Sequence, residues 1–118
     1  MSSILFVSHD GDLRAVAGRV LRQQGWDVTA AAHGGHALLA CARGATFDVL
    51  VVDGELPEGT GAGLARRLRR FCPEIQVIEM RDRPAHGAEA GIAVLRPFTA
   101  DTLVEAVLQA AAAAVATV

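Results

Sequence analysis

The sequence predicts an α/β protein with a five-stranded parallel sheet covered by helices on both faces. Two observations predict it: short apolar runs recur along the 118 residues, and stretches with apolar residues at helical spacing separate them. Apolar runs without a polar interruption are typical of strands that are buried on both faces. Because strands alternate with helices, we expect parallel pairing, right-handed crossovers and a three-layer sandwich.

The first part of the chain predicts two strand and helix pairs. Ile4–Val7 is an uninterrupted apolar run, and the helix that follows begins at Asp12 and stops at Gly25, since glycine commonly ends helices. Asp27–Ala31 is a weaker strand, and the second helix ends near Gly44. The side chains expected to face the core from these helices are Leu13, Val16, Ala17, Val20 and Leu21, then Leu38, Leu39 and Ala42.

The second part predicts three strands and two helices. Phe47–Val52 is the strongest strand, and weaker strands follow around Ile75–Ile78 and Ala93–Leu95. A third helix is closed by Pro73, and Thr99 is a plausible N-cap of the last helix. Apolar side chains at helical spacing mark these helices: Leu64, Leu68 and Phe71 in the third, and Leu103, Val104, Val107, Leu108 and Ala111 in the last.

Composition bounds the class of protein. A chain of 118 residues has room for one domain, residues 1–118. No apolar segment reaches the ~18–20 residues of a transmembrane helix, and no signal peptide is visible. The net charge of −2 gives no general attraction to nucleic acid or acidic lipid. Cys41 and Cys72 lack a CxxC spacing, which favours two buried thiols in a reducing cytosol. We therefore expect a cytoplasmic protein that binds neither membrane nor nucleic acid.

An arginine-rich stretch, Arg66–Arg70, leaves one alternative open. It is either a nucleic-acid patch or a solvated face of the third helix. The second interpretation is favoured, because no aromatic side chain is expected on the solvated face beside these arginines to stack on bases, Phe71 belonging to the apolar stripe.

The candidate site is at the end of the strongest strand. Asp53 follows the apolar run and opens a Gly/Pro loop that begins with Gly54 and Glu55. Open α/β sheets place their chemistry at the carboxyl ends of parallel strands. The loops after the first and fourth strands should therefore bring Ser8, His9 and Arg81 to the same edge, and Arg96 and Pro97 should arrive there after the fifth strand.

Three signatures together resemble the receiver domains of bacterial response regulators, the CheY-like family. They are the Ile4–Val7 strand followed by Asp12-Leu13-Arg14, the Phe47–Asp53 strand followed by Leu56-Pro57 and Gly61, and the Arg96-Pro97-Phe98 corner. The resemblance covers about Ile4 to Leu108. It implies a flavodoxin-like strand order of 2-1-3-4-5, a cis bond before Pro97, and phosphotransfer from a histidine kinase to Asp53 with the help of Mg²⁺.

The other positions of that site differ from the family's pattern. The acidic pair that holds Mg²⁺ corresponds to Ser8 and His9, which are poor ligands for this hard cation. Asp10 could replace one of them only if the first strand slipped by one residue. The lysine corresponds to Arg96, and the hydroxyl residue that contacts the phosphoryl group corresponds to Arg81. The aromatic switch residue corresponds to Ala93.

These replacements predict an atypical receiver. Asp53 between Arg81 and Arg96 gives a pocket with a formal charge of about +1, against about −2 for a typical receiver, so we expect no bound Mg²⁺ and no resident cofactor. The stretch from Asp82 to Leu95 is roughly seven residues shorter than in the family, about two helical turns, which predicts a shortened or absent fourth helix.

Three functional hypotheses follow. The first is a non-enzymatic interaction domain that works without phosphorylation, whose partner is a histidine kinase, another signalling protein or a second copy of the chain in a homodimer. The second is a genuine phosphoacceptor, modified on Asp53 by a histidine kinase. The third is a small-ligand site of the cobalamin or flavodoxin type, since His9-Asp10-Gly11 partly resembles a cobalamin motif. In that motif, however, an aspartate would stand at Val7 and the glycine would come one position later.

Overall fold

The computed structural model describes residues 2–82 and 92–116. The chain alternates strands and helices as expected. The strands are β1 Ser3–Val7, β2 Asp27–Ala31, β3 Val49–Asp53, β4 Glu55–Leu56, β5 Gly59–Thr60, β6 Gln76–Arg81 and β7 Ile92–Leu95. The helices are α1 Gly11–Gln23, α2 Gly34–Ala42, α3 Gly61–Leu68 and α4 Ala100–Ala116.

Five strands form one parallel sheet in the order β2-β1-β3-β6-β7. The two-residue strands β4 and β5 form a separate antiparallel hairpin, so β6 and β7 are the fourth and fifth strands of the main sheet. The predicted order 2-1-3-4-5 is therefore confirmed. The predicted shortening of the fourth helix concerns residues 83–91, which lie outside the described residues.

Alternate side chains of the central strands feed two separate cores, which gives the predicted three-layer sandwich. Leu50 and Val52 of β3 pack toward α2 and α3, whereas Val49 and Val51 pack toward α1 and α4. All four are fully buried. This explains the uninterrupted apolar run, because a strand covered on both faces has no solvent side to mark with polar residues. Within the described ranges, no helix combines the length and apolarity needed to cross a bilayer.

The helix ends follow local capping chemistry. The Asp10 carboxylate accepts hydrogen bonds from the backbone N–H groups of Asp12 and Leu13, and it thereby caps α1. The predicted cap of the last helix is also present, since Thr99 Oγ1 accepts from the N–H of Thr102 at 3.1 Å. Gly25 has a φ of +91°, a conformation that suits the glycine after a helix.

Several details of the predicted helices are wrong. Val16 in α1 is 59% exposed and Ala42 in α2 is exposed, so neither faces the core as expected, and Leu108 in α4 is 55% exposed. Helix α3 ends at Leu68, and Phe71 lies beyond it in a turn and is 46% exposed. In α2 the buried side chains are Ala37 and Cys41, and Leu39 is 47% exposed. Small residues face inward there because α2 packs closely on α3, and an ideal Cβ added to Gly34 would lie only 3.0 Å from Leu64.

Candidate functional site

Asp53 is the last residue of the central strand β3, and its side chain is buried. Its carboxylate forms an ion pair with the Nη2 of Arg96, the residue that directly follows β7. The Arg96 guanidinium also approaches Asp82, with 3.4 Å between Nη1 and Oδ1. Arg96 is one-third exposed, so it bridges a buried carboxylate and an exposed one. The sheet edge therefore brings Asp53 and Arg96 together as the sequence predicts.

His9 lies on the opposite side of the Asp53 carboxylate. Its Nδ1 is 3.8 Å from Asp53 Oδ2, and its side chain is 62% exposed. At this distance and exposure, a protonated imidazole would add only a weak second ion pair. His9 is thus placed beside Asp53, as predicted, but at the solvent margin of the site.

Arg81 differs from its predicted role. We expected its guanidinium to face Asp53, but Nε and Nη2 contact the Glu79 carboxylate at 2.9 and 2.5 Å. Residues 79 and 81 lie two apart on β6 and therefore share one face of the sheet. The stem of Arg81 does reach the site, since its Cγ is 3.3 Å from an ideal Cβ at Gly54. Among the described residues, the ion pairs of Asp53 are those with Arg96 and His9.

The loop after β1 does not offer carboxylates to the site. The Ser8 side chain is fully buried, and its Oγ accepts a hydrogen bond from the Asp10 N–H at 3.2 Å. The Ser8 carbonyl accepts from Arg14 Nη1 at 2.7 Å. Asp10, the possible substitute ligand, is engaged as the cap of α1. The positions where the family's acidic pair would stand therefore hold a buried hydroxyl and an exposed imidazole.

The remaining predicted site residues lie at the rim. Glu55 is exposed in β4, two residues beyond Asp53. Pro97 is exposed, and the Arg96–Pro97 bond is cis, as the resemblance implied. Phe98 packs on the core beneath α1 and α4.

Gly61 fixes the distance between the site and the start of α3. An ideal Cβ on Gly61 would lie well under 3.0 Å from the Asp53 carbonyl oxygen. Its N–H donates to the Gly54 carbonyl at 3.0 Å. Only glycine permits this close backbone approach, which seats the first turn of α3 directly on the end of β3.

These residues do not fit Mg²⁺. The ion needs several oxygen ligands in octahedral geometry, mostly carboxylates and water. Here the Asp53 carboxylate is already paired with a guanidinium, and its neighbours are a hydroxyl and an imidazole. Among the described residues, no group of three or more His, Cys, Asp or Glu side chains could hold a metal ion. The donor set is thus unsuited to the cation that the family's site would hold.

The predicted surplus of positive charge at the site needs correction. Arg81 is neutralised by Glu79, and Arg96 lies between Asp53 and Asp82. Mg²⁺ is therefore disfavoured by the missing carboxylate ligands and by the engaged Asp53, not by a net positive charge.

Sequence reasoning missed Asp82 and Arg14. Asp82 could have been found from register, because β6 and β7 pair in parallel with Arg81 opposite Leu95, which places residues 82 and 96 side by side. Arg14 had no signal, since an arginine on the first turn of a helix is ordinarily solvated. Its contact with the Ser8 carbonyl depends on the path of the loop after β1.

Comparisons with known proteins agree with this architecture. A family model described as the response regulator receiver domain matches residues 4–108. The chemotaxis protein CheY of Pseudomonas aeruginosa is 33% identical over 111 residues, covering 86% of this chain and 90% of that protein.

Solved structures give the same result. The receiver domain of the hybrid histidine kinase CckA is 32% identical, with a TM-score of 0.80, and the match covers 92% of this chain and 98% of that one. A CheY-like receiver protein from Methanospirillum hungatei has a TM-score of 0.88 over 100% of this chain and 99% of that one. At 19% identity, it supports the fold alone. The chain therefore belongs to the response regulator receiver domains, which are components of two-component signalling systems.

Proposed function

We propose that this receiver is a signalling interaction domain that works without phosphorylation of Asp53 and without Mg²⁺. One observation carries the proposal: the Asp53 carboxylate is buried and already ion-paired with Arg96. A phosphoacceptor must present a carboxylate oxygen to phosphorus, and the reaction depends on cations that neutralise the incoming phosphoryl oxygens. In this site the guanidinium neutralises the acceptor itself, and the divalent cation lacks ligands.

The positions that would transmit a modification support the same proposal. A switch requires an element with two arrangements that the modified group biases. Arg81 stands where the family's hydroxyl residue would, and it is held by Glu79. Ala93 stands where the aromatic switch residue would, and a methyl group has no ring to rotate. A phosphoryl group on Asp53 would therefore have neither a hydroxyl residue nor an aromatic ring at these two positions to reposition.

The partner is, on this proposal, a histidine kinase or another signalling protein, and the domain binds rather than catalyses. A second candidate function has one specific observation in its favour. The guanidinium of Arg96 reaches Asp53, and His9 is 3.8 Å away, so two cationic groups could stabilise a phosphoryl group in place of a metal ion. The two hypotheses predict different results in one experiment.

The experiment is incubation with a small-molecule phosphodonor, read by intact mass with and without Mg²⁺. We expect no mass gain for the wild type in either condition. The Asp53→Ala variant serves as the control that assigns any gain to this residue. A gain that is present in the wild type and absent in Asp53→Ala would establish the phosphoacceptor function instead.

A genetic test addresses signalling directly. We expect Asp53→Ala and Asp53→Glu, at normal expression, to bind the partner and complement a deletion nearly as the wild type does. Asp12→Ala, an exposed acid in the first turn of α1, is the matched reference. If Asp53→Ala is folded by thermal denaturation and still behaves as a null while Asp12→Ala does not, the proposal is wrong.

A further inference from the structure

A groove lies between α2, the β4–β5 hairpin and α3, away from the Arg96 side of Asp53. Its volume is about 750 Å³. The floor is apolar and is formed by Leu38, Leu56 and Leu64, of which the last two are buried. One wall consists of arginine side chains from the end of α3 and the turn that follows it: Arg66, Arg67 and Arg70.

The charges of this groove are unbalanced. All three arginines are exposed, and within residues 2–82 and 92–116 none of them takes part in an ion pair. Among the residues that the structure describes, Glu58 is the one carboxylate in the lining. Because the whole chain carries a formal charge of −2, this local excess of positive charge is a property of the groove and not of the protein surface in general.

The one carboxylate is already engaged. Glu58 Oε1 accepts a hydrogen bond from the Gly34 N–H at 2.6 Å, at the start of α2. This bond, assisted by nearby histidines, lowers the pKa of the Glu58 carboxyl below its ordinary value. His33, the N-cap residue, makes no side-chain capping bond of its own. The carboxylate of Glu58 is therefore used at the start of α2 and does not neutralise the arginine wall.

We propose that this groove, defined by Leu38, Leu56, Leu64, Arg66, Arg67 and Arg70, binds an acidic, amphipathic segment of a partner protein. Apolar side chains of the segment would cover the leucine floor, and its carboxylates would meet the arginine wall. Amphipathic segments dock in grooves of this kind through apolar anchors, while complementary charge sets orientation and association rate. Among the described residues, the lining contains no Phe, Tyr or Trp side chain on which bases could stack, and the exposed Phe71 beside Arg70 lies outside it. This disfavours single-stranded nucleic acid as the occupant.

This inference goes beyond the proposed function, because it concerns a different surface and holds whether or not Asp53 is phosphorylated. The probe is a fluorescein-labelled amphipathic peptide whose Leu residues recur at helical spacing on one face and whose other face carries Glu. The control peptide has Gln in place of every Glu. Binding is followed by anisotropy at low salt and located by amide shifts of the isotope-labelled chain. We expect the Glu peptide to bind, the Gln peptide to bind at least 5-fold more weakly, and the shifts to cluster at the groove.

Variants test the arginine wall. We expect Arg66→Glu/Arg70→Glu to weaken binding by about 10-fold or more, since two attractive contacts become repulsive. Arg69→Glu is the matched control for the single variant Arg70→Glu, because both reverse one charge at the same helix end and Arg69 does not line the groove. It should change binding less than about 3-fold. Leu38→Ala, at the partly buried edge of the floor, should also weaken binding.

Several outcomes would overturn the proposal. These are no binding of the Glu peptide at millimolar concentration, equal binding of the two peptides, or an Arg69→Glu effect as large as that of Arg70→Glu. Tighter binding of a single-stranded oligonucleotide would make the groove a nucleic-acid site. A dimer in sedimentation that Arg66→Glu/Arg70→Glu dissociates would mean that a second copy covers it. Asp53→Ala should bind the peptide as the wild type does.

Discussion

The Asp53 site and the α2–α3 groove treat charge in opposite ways. At Asp53, each strong charge has a partner within the chain: Arg96 lies between Asp53 and Asp82, and Arg81 contacts Glu79. In the groove, three guanidinium groups face solvent and one carboxylate is used as a helix cap. A site whose guanidinium groups are already paired with carboxylates has little electrostatic reason to recruit an anionic ligand. Within one domain, unpaired charge can therefore lie on a different surface from the position at which the family carries out its chemistry.

The largest expected effect comes from Gly61, where the start of α3 contacts the backbone at the end of β3. Gly61→Ala places a Cβ against the backbone of Asp53, which cannot move aside without separating β3 from α3. We expect a loss of about 3 kcal/mol or more in unfolding free energy, measured by urea denaturation. The control is Gly11→Ala, whose Cβ meets only the flexible end of Arg14 at 3.5 Å. That change should stay within about 1 kcal/mol. Equal stabilities of the two variants would contradict the proposed backbone contact.

The next effect tests the ion pair between Asp53 and Arg96. Arg96→Ala leaves a buried carboxylate without its guanidinium, and we expect a loss of about 2–4 kcal/mol. Asp53→Asn in the same background should recover part of that loss, because the uncompensated charge is removed. A double-mutant cycle by urea denaturation measures this coupling. Strict additivity of the two changes would mean that the ion pair contributes nothing to the folded state.

A smaller effect concerns the core beneath the groove, where Cys41 and Cys72 share one cluster. Burial, together with the neighbouring Cys72 thiol, raises the pKa of Cys41 from 9.0 to about 11. The folded state therefore retains a proton that the unfolded state loses above pH 9, and stability should fall as the pH rises from 9 to 11. We expect a decline on the order of 1–3 kcal/mol by pH 11.

The control for this alkaline effect is Cys41→Ala, in which that part of the decline is removed. Urea midpoints between pH 8 and 11 provide the measurement. If the wild type and the variant lose stability in parallel, the thiol does not cause the decline.

The smallest effect concerns Glu58, a carboxylate that lines the groove. Glu58→Gln removes the charge at the start of α2 but keeps an oxygen that can accept from Gly34. Folding lowers the pKa of the Glu58 carboxyl below its ordinary value of 4.5. The charge of Glu58 therefore stabilises the protein at pH values above 4.5, and this contribution is lost as the pH falls through the lower pKa of the folded state. We expect a loss of about 0.3–1 kcal/mol at pH 7. The difference from wild type should shrink below pH 4.5, and a difference that persists unchanged at pH 3 would exclude the charge as its cause.

The sequence predicted the sheet well because each strand carries its own signal. The runs at β1 and β3 are uninterrupted, and the side chains of these strands are buried on both faces. Parallel pairing and the position of Asp53 follow from alternation with helices, which requires no knowledge of side-chain contacts, whereas the strand order 2-1-3-4-5 followed from the family resemblance.

The candidate site was predictable only in part, because partner choice depends on which side chains share a face. Arg81 pairs with Glu79 two residues earlier on the same strand, whereas sequence order alone suggested Asp53. The hydrogen bond between Glu58 and the Gly34 N–H joins residues that are 24 positions apart in the sequence. No local sequence pattern predicts such a contact. The apolar floor of the groove likewise combines residues from α2, β4 and α3.

The two outer strands of the sheet have a consequence for aggregation. In the described residues, β2 and β7 each pair on one side only, so each offers a row of backbone groups that another chain could extend. Both are short, with five and four residues. Strand β2 begins with a charged Asp27, and β7 is followed by Arg96 and by Pro97, which has no N–H to donate. Pro97→Thr, which lengthens β7 and keeps the Arg96–Asp53 ion pair, should therefore favour edge-to-edge polymerisation, visible as thioflavin-positive material at concentrations where the natural chain remains dispersed.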